Sequence, residues 1–125
     1  MGVNELFEEA LRLPEQSPPL LTDRWQAPEV YVGNRHSSAS VIWSLAIVLW
    51  ELALNCQQLP HYLATTQLEL ERSIMSGAAA FEQPHSLDPR LWGLLLMAWS
   101  HDRMQRPQAL DFCEVCVAQP RRAIS

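Results

Sequence analysis

The chain has 125 residues and a formal charge of −5, from 9 basic and 14 acidic side chains. All the basic residues are arginine, and the 4 glycines stand apart at Gly2, Gly33, Gly77 and Gly93. Without lysine or clustered glycines there is no Walker A loop, no Gly-x-Gly-x-x-Gly nucleotide loop and no amine side chain for Schiff-base chemistry. An isoelectric point near 5.2 with no basic block excludes a nucleic-acid surface.

The length fits one domain, and a 48% apolar composition with 5 Trp supplies a core. Cys56, Cys113 and Cys116 are an odd number of cysteines, and the N-terminus carries no signal-peptide pattern. The expectation is a reduced, intracellular, cytoplasmic protein. Residue 6 is Leu, not Ser or Thr, so the myristoylation pattern is absent.

Residues 4–12 place Leu6, Phe7, Ala10 and Leu11 at helical spacing behind the cap candidate Asn4. Acidic residues crowd the first turns, where the helix dipole favours them. Pro14, Pro18 and Pro19 then impose an extended linker over 13–23. Pro28 and the segment 33–36 bracket a short helical turn. Residues 41–54 are apolar except for Ser44 and Glu51, which predicts a helix buried on every face. That run falls short of the ~20 residues that span a bilayer, so no transmembrane segment is expected. Ser37, Ser38 or Ser40 can cap it.

Residues 55–63 form a loop around Pro60, and 65–76 read as an exposed amphipathic helix stopped by Gly77. Ser86, Asp88 and Pro89 introduce the apolar run 91–99. A polar turn over 100–106 leads to Pro107, at the start of a last helix over 107–118. No segment alternates with period two. The reading is all-α, with about five helices around the central helix 41–54.

Cys113-x-x-Cys116 has the letters of half a zinc site, but zinc usually takes four ligands from two such pairs. The four histidines show no ligand spacing, so both thiols are expected to face the core, with no metal and no cofactor bound. Ser, His and Asp occur without a Gly-x-Ser-x-Gly elbow, so a hydrolase triad has no support.

Three pieces occur in order: Arg24-Trp25-Gln26-Ala27-Pro28-Glu29-Val30, Ile42-Trp43-Ser44-Leu45-Ala46-Ile47-Val48-Leu49-Trp50-Glu51-Leu52, and Trp99-x-x-Asp102-x-x-x-Arg106-Pro107. Together they resemble the lower C-lobe of a protein kinase, of the tyrosine-kinase and tyrosine-kinase-like groups, over about residues 20–118. The first looks like the Ala-Pro-Glu motif that closes the activation segment (Ala27, Pro28, Glu29), and the second like the central hydrophobic helix. Pro60-His61-Tyr62, and Ile74 with Gly77, fall at the family's spacing.

The resemblance implies a structural ion pair between Glu29 and Arg106 and core anchors at Trp25, Trp43, Trp50 and Trp99. It implies three parts: an acidic helix and linker over 1–23, a kinase-like segment over 24–118, and a tail over 119–125. The departures are as informative. The family's Asp at the start of the central helix, which braces the catalytic loop, is Val41 here, a degenerate position. No His-Arg-Asp or Asp-Phe-Gly motif occurs; His101-Asp102-Arg103 and Asp111-Phe112-Cys113 fall in the wrong order and context.

The implied function is that of a truncated, catalytically inactive kinase-like lobe, with no catalytic residues, acting in protein–protein interaction or scaffolding. The expected surface is the helix 65–76 and the loop before it. Apolar surface uncovered by missing parts of a kinase is expected to favour self-association and marginal stability, and residues 4–12 are one expected cover. The alternative is the downstream part of an active tyrosine-type kinase whose phosphoryl-transfer residues lie elsewhere.

Overall fold

A computed structural model describes residues 17–118. The helix expected over 4–12, the linker up to residue 16 and the tail 119–125 lie outside the described residues. Five α-helices and three short 3-10 turns make up the rest, with no strand among the described residues.

Most helix starts are set by residues the sequence advertises. After a 3-10 turn at Leu21–Trp25, α1 (Pro28–Gly33) begins on a proline whose missing N–H costs a first turn nothing. It ends at Asn34, in the left-handed region at φ 54, a conformation Asn tolerates. The next helix, α2 (Ser38–Ala53), starts three residues ahead of the apolar run. The cause is Ser37, whose hydroxyl accepts from the Ser40 amide while the Ser40 hydroxyl accepts from the Ser37 amide. Thr66 caps α3 (Gln67–Met75) by accepting from the Glu69 amide. Asp88 caps α4 (Pro89–Ala98) through the Arg90 amide. The last helix, α5 (Ala109–Ala118), begins two residues after Pro107, where the Asp111 carboxylate accepts from the Gln108 amide.

Gly77 follows α3 at φ +60, and a Cβ there would lie 2.9 Å from the Trp99 carbonyl oxygen. Backbone angle and space both demand glycine at this position. The chain can then turn through the 3-10 segment Gly77–Ala80 and drive Phe81 into the core.

The core is an aromatic stack wrapped in aliphatic side chains. Phe81 lies flat on Trp99 at 4.0 Å between ring centres and meets the edge of Trp50 at 5.0 Å. Trp43, Trp50 and Trp99 are buried, with Ile47, Leu70, Ile74 and Leu95 packed around them. Contacts run from α2 to α4, from α4 to α5 and from α1 to α3. Phe81 had no signal in the sequence, because a single aromatic in a loop carries no periodicity.

Three expectations need correction. The central helix is not buried on every face. Ile42, Trp43, Ala46, Ile47 and Trp50 turn inward, while Val41 (63%), Val48 (41%) and Leu52 (59%) remain exposed along one stripe. An all-apolar sequence does not say which side the neighbours take. Trp25 is half-buried rather than a core residue, since its indole N–H reaches out to the Glu51 carboxylate at 2.6 Å. Cys113 and Cys116 do not face the core; both are exposed, as is Cys56. On α5 the buried position is Phe112, with Asp111 and Val115 half-buried beside it. At about 100° per residue, that face turns Cys113 to the opposite side.

Candidate functional site

The segment 24–31 is built from short-range turns but spends its side chains on distant partners. Glu29 sits in the first turn of α1, where the helix dipole favours a carboxylate. Arg106 follows the 3-10 turn Arg103–Gln105, which Asp102 caps through the Met104 amide. The fold brings these two residues, 77 positions apart, into a two-pronged contact. Arg106 Nη1 donates to Glu29 Oε2 at 2.6 Å and Nη2 donates to Oε1 at 2.9 Å. Two further N–H groups of the guanidinium are also occupied: Nε donates to the Ser100 carbonyl at 2.9 Å and Nη1 to the Ala39 carbonyl at 3.2 Å. Its carbon lies 5.1 Å from the Trp43 ring centre. The Arg106 side chain is fully buried, and Glu29 is 13% exposed.

Burial alone would raise the Glu29 carboxyl. The Arg106 hydrogen bonds and charge, its own backbone amide and the more distant Arg103 outweigh that and hold it below the usual 4.5. The pair therefore stays ionised, with four of the five guanidinium N–H donors bonded, close to the condition under which a buried ion pair is tolerated.

A second buried guanidinium has no carboxylate partner among the described residues. Arg24, in the 3-10 turn Leu21–Trp25, donates to the carbonyls of Pro60 (3.1 Å), His61 (2.6 Å) and Ala64 (2.9 Å). Those carbonyls belong to the loop between α2 and α3. The loop bends sharply, with Asn55, Cys56 and His61 all at positive φ. His61 is itself buried, bonded through Nδ1 to the Ser73 hydroxyl at 2.6 Å and edge-on to Phe81. Desolvation, and then the Arg24 charge, lower its pKa from 6.5 to about 4, so it is neutral near pH 7.

Pinned in this way, the loop presents Tyr62 (56% exposed) and Leu63 (74% exposed) to solvent. They stand at the mouth of a cleft of about 420 Å³ shared with His61, Glu69, Ser73 and Glu82. No arginine among the described residues lines that cleft.

Ala27 and Pro28 are buried beside Glu29, and Val41 stands exposed on the second turn of α2. The Trp25 carbonyl accepts from Ser44 at 2.6 Å, and the Tyr31 hydroxyl donates to Gln67. Arg24, Glu51 and Ser44 all stand inside the motifs read from the sequence, yet nothing there showed what they bind. Carbonyl acceptors leave no mark in residue spacing. No group of three or more His, Cys, Asp or Glu among the described residues is placed to hold a metal.

Comparisons with known proteins identify the relatives of the chain. The family model described as protein tyrosine and serine/threonine kinase matches residues 5–115. The chain is 28% identical over 96 residues to an insulin receptor from Xenopus laevis, an alignment covering 77% of this chain and 7% of that receptor. It is 34% identical over 89 residues to the proto-oncogene tyrosine-protein kinase ROS of Rattus norvegicus, covering 70% of this chain and 4% of that protein. It is also 34% identical over 88 residues to the tyrosine-protein kinase-like otk of Drosophila willistoni, covering 70% of this chain and 8% of that protein. The chain thus spans less than a tenth of the length of these curated relatives.

Proposed function

The chain belongs to the protein tyrosine and serine/threonine kinase family, and from that premise we propose that its 125 residues act as a catalytically silent partial C-lobe that docks another protein. The residues themselves support silence. They contain no lysine to grip a nucleotide phosphate, no glycine-rich loop, and Val41 where the family's bracing Asp belongs. The unit that docks is the segment 24–118, flanked by 1–23 and 119–125, in a reducing intracellular setting that suits three free cysteines.

One observation carries the docking reading. The loop ahead of α3 is locked by the three carbonyl bonds of Arg24, so Tyr62 and Leu63 are held outward on fixed backbone. Rigid, exposed aromatic and aliphatic side chains beside a cleft lose little entropy on binding. No helix among the described residues is long and apolar enough to cross a membrane.

Two measurements test the proposal. Titrating the protein with magnesium ATP in a calorimeter should give no binding heat; magnesium-dependent heat would overturn the silent reading. A photo-crosslinking amino acid at position 63, expressed in cells, should give discrete adducts that the same residue at the exposed position 85 does not. Equal labelling at both positions would sink the docking reading.

A second reading is that the chain is the downstream part of an active tyrosine-type kinase. What favours it is the small fraction of each relative that the chain spans. Phosphotransfer by a longer transcript product that retains Val41 would support it.

A further inference from the structure

The exposed face of α5 carries an unusual set of side chains. Free cysteine is among the most buried residue types, yet Cys113 and Cys116 are both exposed. At about 100° per residue they lie roughly 60° apart on one side of the helix. Leu110 (63% exposed) and Val117 (75% exposed) bracket Cys113 on the same side. Positions 110, 113 and 117 have the three-then-four spacing of a helix–helix seam, with Cys116 at its edge. The face therefore combines two thiols with two uncovered apolar side chains, and nothing in the lobe described above uses it.

We propose that this face is half of a thiolate metal site that a second copy of the chain completes, so that a thiophilic divalent cation such as Zn²⁺ joins two chains through their α5 helices. The geometry of one half suits the ion. Side chains three apart on a helix have Cβ atoms about 5–6 Å apart. Two sulfurs on one zinc lie about 3.8 Å apart, given Zn–S bonds of about 2.3 Å in a tetrahedron. The two thiols close that gap by leaning toward each other from an unchanged helix. The coordination number then dictates the partner. A structural zinc takes four ligands, one chain supplies two, and no third His, Cys, Asp or Glu joins them among the described residues. A second α5 supplies the missing pair and covers Leu110 and Val117 in the same contact. The chemistry is ligand exchange without redox change: four thiols lose four protons as one Zn²⁺ enters and sheds its water.

The test uses the full chain under a phosphine reductant, so that disulfides do not form. Zinc is titrated while molar mass is followed by light scattering and bound metal by a colorimetric chelator. The expected result is a monomer-to-dimer conversion that saturates at one zinc per two chains and reverses with EDTA. Cobalt in place of zinc should give thiolate charge-transfer absorption. Cys113→Ser and Cys116→Ser should each abolish the metal-linked dimer, while Cys56→Ser leaves it intact. Leu110→Glu should weaken it at least tenfold with both thiols still present. The idea is overturned by a monomer that stays monomeric at saturating zinc, by one zinc per monomer, by a dimer that survives EDTA, or by equal loss in Cys56→Ser.

Discussion

Two guanidinium groups are buried among the described residues, and they solve the same problem in opposite ways. Arg106 meets a carboxylate, two carbonyls and an indole face, so its charge is neutralised where it sits. Arg24 meets three carbonyls and, among the described residues, no carboxylate. The first arrangement joins segments from opposite ends of the fold. The second fixes the shape of one loop and leaves a net positive charge whose field reaches His61. A buried cation with a counter-ion acts as a joint; one without acts as a clamp that also biases its neighbours' protonation.

The largest expected effect comes from removing the joint. Arg106→Ala strands a buried carboxylate and should cost ~3–5 kcal/mol in urea unfolding. Arg106→Lys should recover little, because an ammonium cannot make the two-pronged contact. If Arg106→Lys behaves like the wild type, the contact matters as charge alone. Next comes the clamp. Arg24→Ala should cost about 3 kcal/mol: bonds to charged groups contribute roughly 1.5–3 kcal/mol each, and part of that sum is returned as the freed loop carbonyls regain water. Its signature should be protease sensitivity confined to the loop over 55–66. Global loss of structure without that local stage would show that the two arginines do the same job.

The bias on His61 is a third handle. Its folded pKa, about 4, lies below its unfolded 6.5, so the unfolded chain takes up the proton first. The stabilisation is full above pH 6.5 and is lost as pH falls towards 4, by roughly 3 kcal/mol. Glu29 works in the same direction lower down. Its lowered carboxyl stabilises the fold above the unfolded 4.5, and that stabilisation disappears as pH drops below it. His61→Gln should therefore flatten the stability profile between pH 6.5 and 4 and leave the fall below 4.5. An unchanged profile in the variant would contradict the burial-plus-Arg24 account. The smallest effect is expected at Val41. Val41→Asp puts a carboxylate at an exposed site near a helix start, and stability should change by less than about 0.5 kcal/mol.

What could be read in the sequence follows from these contacts. Helix starts at Ser37 and Asp88 use side chains whose type names their role, and Gly77 marks a position that only glycine fills. The Glu29–Arg106 contact was legible only through the kinase resemblance that the ordered motifs carry. The Arg24 clamp was not, since its acceptors are backbone atoms that every residue carries. The direction of α5 was not legible either. Phe112 and Val115 propose one inward face, and Leu110, Cys113 and Val117 propose another; only neighbouring elements decide between them. The same ambiguity hid the open stripe on α2.

One short stretch of chain has a mechanical consequence. Between residues 24 and 29, Arg24 grips the loop ahead of α3, Trp25 spans two turns of α2 through Ser44 and Glu51, and Glu29 holds the approach to α5. These attachments act in parallel, and the load on one is shared by the others. Drawn apart in an optical trap by handles near residues 20 and 118, the lobe should yield in a single rip at one force, because releasing this keystone frees three regions at once.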